Sequence, residues 1–250
     1  MVTNMSYFDF NYDAEKAVEK DTLGTGMRIR DTDVYPGIIK LAYITKSDKS
    51  KAQAMNIEFE DDHGIYKEKI WFMNGQGKVV NDKGEYTKNF LKANSICLLA
   101  CGKPLVKLEP ETKTINLYNV EKKAEVPTDV PMLVDLCGKP ITFAIQRIKE
   151  NKQKLTDDGT YVPINEAREI NAIAKVFRSK DDKTEQEIRG KQEVATFKDK
   201  WLEANKGQVW DRFKEVTGQG NAGAPGGNFA GAGFNPGSDN ATTGDDPFTM

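Results

Sequence analysis

The sequence predicts a mainly β fold with added helices, and three features indicate it. Short segments rich in β-branched and aromatic residues recur along the chain, turn-forming residues separate them, and few longer segments have the apolar spacing of a helix. The chain has 250 residues, of which 38% are hydrophobic and 30% charged. Such a chain can bury a core, so we expect one folded domain over residues 1–216.

Three antiparallel strands are predicted first, by segments that short turn-like sequences separate: 38–45, 54–60 and 65–72. The second segment alternates without a break. Met55, Ile57 and Phe59 fall on one face of a strand, and polar residues fall on the other. The three strands should form a meander.

Two helices are predicted further along the chain. The first covers residues 86–101 and should end at Gly102 and Pro104. The second is amphipathic and should end at Gly207, because four apolar residues recur at helical spacing: Val194, Phe197, Trp201 and Leu202. We interpret Trp201 as a core residue, since a Trp on the apolar stripe of a helix is usually buried.

Further strands are predicted at 132–134 and over 141–149, and the second of them could pair with either 161–164 or 170–177. Three strands, a helix and more strands are the order of an elaborated oligonucleotide-binding (OB-like) barrel of about five antiparallel strands. The expected domain is larger than a simple barrel. We therefore place insertions at 103–131 and beyond Leu155.

The sequence contains no recognisable catalytic motif. The single histidine, His63, falls in a predicted turn, which argues against histidine-based catalysis. Cys97 and Cys101 have C-x₃-C spacing without the paired knuckles of a zinc site. We expect no metal, no cofactor and no catalytic residue. A metal-dependent nuclease acting on DNA is the alternative, because acid-x-lysine triplets occur at 111–113 and 121–123.

The third predicted strand has a basic and aromatic face. By the two-residue period of a strand, Lys67, Lys69 and Trp71 share this face. Cations can follow phosphates, and an indole ring can stack on any base, so the combination suits single-stranded nucleic acid. The alternative is a solvated lysine face with Trp71 tucked under a loop.

Five more residues could extend this face into a longer track. Lys40 and Tyr43 lie in the first strand, but their spacing lets both face the same way only if the strand contains a β-bulge. The other three follow at the end of the long strand: Arg147, Lys149 and Lys152.

The last 34 residues differ in composition from the rest. Residues 217–250 contain nine Gly, three Pro, three acids and no base, whereas all 36 Lys and Arg lie at or before Lys214. Such a segment cannot bury enough apolar area to offset the entropy of ordering, so we predict a disordered tail. Its acidic tip combines carboxylates with an aromatic side chain: Asp245, Asp246, Pro247 and Phe248.

The chain resembles the single-stranded DNA-binding proteins of tailed bacteriophages. The resemblance covers roughly residues 24–214 and rests on several short stretches: Tyr35-Pro36-Gly37 before 39–43, Trp71-x-x-Asn74-Gly75-x-Gly77, 94–99, 130–136 and Lys200-Trp201-Leu202. The tail is also similar to the Gly-rich, acidic tails of single-stranded DNA-binding proteins of bacteria and phages, which recruit partners and compete with DNA. In the bacterial proteins the chain ends on the Phe of the tip, whereas here Thr249 and Met250 follow Phe248.

This resemblance implies a non-catalytic protein that coats single-stranded DNA during phage replication or recombination, with little sequence preference. Replication or recombination proteins would be recruited through the acidic tail. We expect the protein in the cytoplasm of the bacterial host, since the sequence has neither a membrane span nor a signal peptide.

Overall fold

A computed structural model describes residues 29–48, 50–119, 122–157 and 161–216. These residues form eight strands and three α-helices, so the predicted mainly β class with added helices is confirmed. The predicted tail over 217–250, with Asp245, Asp246, Pro247 and Phe248, lies outside the described residues.

The elements follow one another in this order: β1 (Asp33–Lys46), β2 (Gln53–Asp61), β3 (Gly64–Met73), α1 (Lys88–Cys101), β4 (Glu111–Asn119), β5 (Ala124–Met132), β6 (Pro140–Leu155), β7 (Tyr161–Phe177), α2 (Glu185–Arg189), α3 (Phe197–Asn205) and β8 (Val209–Asp211). Short 3₁₀ helices lie at Leu105–Lys107 and Val134–Leu136. None of the described helices is long and apolar enough to cross a membrane.

The first three strands form the predicted antiparallel meander. Their alternation is also as predicted in β2, where Met55, Ile57 and Phe59 are at most 1% exposed. In β1, Gly37 is required by close packing, because a Cβ there would lie 2.3 Å from the carbonyl oxygen of Glu60.

Strand β1 is long enough to pair with two different strands along one edge. Its first half, from Asp33 to Ile38, pairs with β6, whereas Tyr43 pairs with Met132 of β5. The result is an eight-stranded sheet that is antiparallel apart from the short β8, which runs parallel to β6. The sheet is not closed, so the five-stranded barrel expected from the sequence is not established.

Side chains bridge the gap between β3 and β7, where no backbone pairing joins the described strands. Ile173 in β7 donates its backbone N–H to the carboxylate of Glu68 in β3, at 2.7 Å. Arg30 donates to the Gly64 carbonyl at 2.8 Å, and its own backbone exchanges two hydrogen bonds with the Asn171 side chain. We call this gap the seam.

The two faces of the sheet have different coverings. The inner face carries the main core, where Phe59, Ile70 and Phe143 pack with Phe90 and Ile96 of α1. Thr87 caps α1 by accepting from the Phe90 N–H, and Gly102 ends the helix with φ 77°. The predicted helix is therefore confirmed, with its start two residues later.

The outer face is covered in two places. Helix α3 packs its buried Trp201 against Val34 and Ala144, which confirms Trp201 as a core residue. The hairpin of β4 and β5 packs over Tyr43 through Val130 and Met132. Beside these coverings, β3 carries Lys67 and Lys69 as exposed side chains of the outer face.

Two sequence expectations need correction. The sequence predicts an inserted loop over 103–131, but most of this segment forms the hairpin of β4 and β5. Residues 161–164 and 170–177 were expected as alternative partners of the long strand. Both belong to β7, which pairs with nearly the whole of β6 across two irregularities in register.

Candidate nucleic-acid interface

Lys67, Lys69 and Trp71 lie on the outer face of β3, as their spacing predicts. The residues between and beside them point into the inner core, where Tyr66, Ile70 and Phe72 are at most 9% exposed. Lys67 and Lys69 are exposed and Trp71 is partly buried. Because the apolar side chains of β3 are buried on the inner face, the lysine and indole side chains lie on the outer face.

Lys69 and Trp71 form a cation–π pair. The Lys69 ammonium lies 4.5 Å from the centroid of the Trp71 ring. Burial lowers the pKa of Lys69 below its ordinary value. Among the described residues, Lys69 therefore differs from its neighbour Lys67, because it contacts an aromatic ring and Lys67 contacts the carboxylate of Glu58.

The other two cations of this face are balanced by carboxylates. Lys67 is ion-paired with Glu58 at 2.5 Å, and Lys40 with Glu60 at 2.8 Å. Both lysine side chains are about half exposed. Exposed pairs of this kind contribute little to stability, so a phosphate could replace the carboxylate partner at small cost.

The β-bulge needed to bring Lys40 and Tyr43 to one face is present. Ile39 pairs with Phe59 and Leu41 pairs with Glu58, which leaves Lys40 as the extra residue. Tyr43 pairs with Asn56, and Asn56 pairs with Lys69. These three residues therefore form one row across the outer face of the sheet.

Tyr43 is nevertheless a packing residue. It is 8% exposed and packs with Val130 and Met132 beneath the hairpin. Burial, with a smaller contribution from Glu58, raises the pKa of its hydroxyl. The ring of Tyr43 is therefore not accessible to a stacking base. This burial was not predicted from the sequence, because the hairpin that covers Tyr43 was not predicted.

Arg147 and Lys149 lie on the opposite face from Trp71. In β6, Phe143 and Ile145 point into the inner core, and Arg147 and Lys149 continue the same alternation beyond it. The structure therefore does not bring these cations into the row with Lys69. The single continuous track expected from the sequence is not formed.

Carboxylates also hold the three cations of β6 that the sequence analysis singled out. Arg147 donates to Glu169 at 2.6 Å and is ion-paired with Asp31 at 3.1 Å. Lys149 is ion-paired with Asp211 at 3.0 Å, and Lys152 is ion-paired with Glu166. Hydrogen bonding to Glu169 raises the pKa of Arg147.

A second cation and indole pair was missed in the sequence. The Arg212 guanidinium lies 5.0 Å from the centroid of the Trp210 ring. Trp210 pairs with Ile148, which shares the outer face with Ala144. The signal was present, because Trp210-Asp211-Arg212-Phe213-Lys214 mixes aromatic and basic residues just before the predicted tail.

The described residues contain no group of three or more His, Cys, Asp or Glu side chains arranged to hold a metal ion. Of the two acid-x-lysine triplets, the first is an ion pair between Glu111 and Lys113 at 2.8 Å. Glu121 of the second triplet lies outside the described residues.

Comparison with known proteins identifies no relative: no protein-family model matches the chain, and no curated protein is significantly similar to it.

Proposed function

We propose that the protein binds single-stranded DNA without catalysis, on the outer face of β1, β2 and β3. The observation that carries this proposal is the Lys69 ammonium held 4.5 Å from the Trp71 ring on the outer face of β3. One side chain can neutralise a phosphate while its neighbour offers a π surface to a base. Neither contact depends on base identity, which is the expected requirement for coating a strand of any sequence.

The fold supports an OB-like interpretation of this surface. A meander, a helix and two long strands follow one another, and β6 returns to pair with β1. In OB folds, single strands bind on the second and third strands. Here these strands are β2 and β3, which carry Asn56, Lys67, Lys69 and Trp71 on the outer face. The β4 and β5 hairpin would be an addition that borders the site at Tyr43.

Phage replication or recombination is the proposed setting, and the acidic tip of the tail is the proposed contact for other proteins. The support for both is the resemblance described above, together with the lack of any Lys or Arg in the last 34 residues, which carry three acids. A tail without bases can also compete with phosphates for the lysines of the outer face.

The test is binding of oligo-dT by fluorescence anisotropy, with Trp71→Ala as the variant. We expect Trp71→Ala to weaken binding by about 1–3 kcal/mol, the range for loss of one stacked base. Tyr86→Ala is the matched control, because Tyr86 is an aromatic residue 58% exposed near the start of α1 and away from the outer face. Equal affinities for wild type and Trp71→Ala would contradict the proposed site.

Incubation of labelled single-stranded and double-stranded DNA with Mg²⁺ or Mn²⁺ separates binding from cleavage. A retarded, intact single strand is the expected result. Degradation that disappears with a chelator would instead favour the metal-dependent nuclease. A parallel titration with oligo-rU measures the preference for DNA over RNA, which the stacking contact alone does not set.

A further inference from the structure

The outer edge of β4 is open to pairing. In the sheet, β4 is the last strand on its side and pairs with β5 and no other described strand. Six of its nine residues are exposed, including Tyr118 at 64%. An exposed edge of this length presents a row of unpaired N–H and C=O groups, which another strand can satisfy.

The prolines of β5 show which backbone groups of β4 point outward. Pro127 pairs with Asn116 and Pro131 pairs with Thr112. A proline cannot donate, so these must be non-hydrogen-bonded pairs, in which the backbone groups of both residues point away from the partner strand. By alternation, four residues of β4 present N–H and C=O groups at the outer edge: Thr112, Thr114, Asn116 and Tyr118.

The two edges of the hairpin are protected differently. Pro127 and Pro131 remove two donors from the outer edge of β5, and β1 covers its end at Met132. Strand β4 contains no proline, and its two charged residues, Glu111 and Lys113, neutralise each other at 2.8 Å. Natural edge strands normally carry charges, prolines or bulges against unwanted pairing. The open edge of β4 is therefore a candidate interface.

We infer that β4 pairs with β4 of a second copy of this chain, antiparallel and about a two-fold axis at Ile115. This register pairs the whole of β4 with itself. It places Thr112 opposite Tyr118 of the second copy, and Thr114 opposite Asn116, so that all four outward residues meet outward residues. About eight backbone hydrogen bonds would form, since each of the four donates once and accepts once in each copy.

Side-chain chemistry suits this register. Lys113 would face Leu117 and Glu111 would face Asn119, so no like charges oppose each other. A shift of the axis to Lys113 would place two lysines in direct opposition, which is unfavourable across a strand pair. The two-fold arrangement is closed, because each copy uses the same edge and leaves no further β4 edge to extend the assembly.

The experiment compares two proline variants of the full-length chain by light scattering after size exclusion. Thr114→Pro removes an outward donor of β4, and Asp129→Pro makes the matching change at the paired position in β5. Both variants lose the 2.6 Å hydrogen bond from the Thr114 hydroxyl to Asp129. We expect wild type and Asp129→Pro to have twice the chain mass, and Thr114→Pro to have the mass of one chain.

A second variant protects the test against misfolding of the first. Thr114→Lys with Asn116→Lys adds exposed charge without removing a donor, and places lysines opposite each other around the axis. We expect this variant to be monomeric at low salt and to regain the dimer mass as salt is raised.

Three results would overturn the inference: a monomeric wild type, a dimer that persists in Thr114→Pro, or a dimer that persists at low salt in the double lysine variant. A monomeric wild type would also be the outcome if another segment of the same chain or a different protein occupies the edge. The measurement needs no DNA, so its failure leaves the proposed binding site untouched.

Discussion

The backbone N–H of Ile173 in β7 donates a hydrogen bond of 2.7 Å to the carboxylate of Glu68 in β3. The same carboxylate accepts from the Tyr66 hydroxyl at 2.7 Å and is ion-paired with Lys92 of α1 at 3.3 Å. One side chain therefore joins the meander, the helix and the last long strand at the seam. Burial, then the charge of Glu68, raises the pKa of Tyr66, which keeps its hydroxyl protonated as a donor.

We expect Glu68→Ala to lower the free energy of unfolding by roughly 1–3 kcal/mol, because it leaves the N–H of Ile173 without an acceptor. Ile173 is 1% exposed, so water cannot easily replace the lost bond. Glu68→Gln should cost less, since an amide oxygen still accepts. Urea unfolding measures both, with the exposed Glu109→Ala as control. A Glu68→Ala variant as stable as the control would show that the seam does not depend on this side chain.

Lys69 should contribute more to DNA binding than Lys67. Because Lys67 already has Glu58 as a partner, a phosphate gains less there than at Lys69. We expect Lys69→Ala to reduce the slope of log affinity against log salt by about 0.7, the value for one phosphate contact on a single strand. Lys67→Ala should reduce it less.

Lys149→Ala is the control for these lysine variants, because Lys149 lies on the inner face with Asp211. It should leave the salt slope unchanged. A larger effect at Lys149 than at Lys69 would place the strand on the other side of the sheet.

Tyr43 should affect stability and not stacking. We expect Tyr43→Ala to lower the free energy of unfolding by about 3–5 kcal/mol, because removal of a buried aromatic ring leaves a cavity under the hairpin. Tyr43→Phe keeps the ring and should leave oligo-dT affinity and stability close to wild type. If Tyr43→Phe weakened binding as much as Trp71→Ala, the Tyr43 hydroxyl would belong to the site.

Glu187 gives a stability contribution that depends on pH. This carboxylate is 4% exposed and accepts from the backbone N–H groups of Thr184, Thr196 and Phe197, at 2.7 to 2.9 Å. Burial acts to raise its pKa, but the backbone hydrogen bonds together lower it below its ordinary value of 4.5. The charged form is thus favoured in the folded state.

We expect Glu187→Gln to be less stable than wild type at neutral pH by about 1–3 kcal/mol, since it loses charge-assisted bonds. The contribution is complete above pH 4.5 and declines as pH falls through the lowered pKa in the folded state. Unfolding at a series of pH values should therefore show the two proteins converging below about pH 4.5. A difference that stayed constant to pH 3 would contradict the hydrogen-bonded carboxylate.

Deletion of residues 239–250 should raise affinity for single-stranded DNA, most clearly at low ionic strength. It removes three carboxylates that would compete with phosphates for the same lysines. Replacement of Asp239, Asp245 and Asp246 by Asn in the full-length chain is the matched control, and should have the same effect if charge is the cause. Affinity that is unchanged at both low and high salt would exclude this competition.

The local sequence was sufficient to predict strands and helices whose apolar residues follow a regular spacing. The alternation in β2 and β3 was sufficient to place Lys67, Lys69 and Trp71 on the face opposite the core. In an alternating strand the hydrophobic side chains all lie on one face, and that face packs on the core. The residue spacing also indicated that Lys40 and Tyr43 can share a face only if β1 contains a β-bulge, and the structure has one between Ile39 and Leu41. The end of α1 at Gly102 followed in the same local way, whereas the N-cap at Thr87 was not predicted.

Tertiary structure decided which of these surfaces meet. The sequence contains no signal that β1 pairs with β6 over one half and β5 over the other, and the pairing with β5 places the hairpin over Tyr43. The packing of Phe143 and Ile145 into the inner core puts Arg147 and Lys149 on the face opposite Trp71. Pairing between distant strands depends on the packing of many side chains together, whereas the face of a single strand depends only on its own alternation.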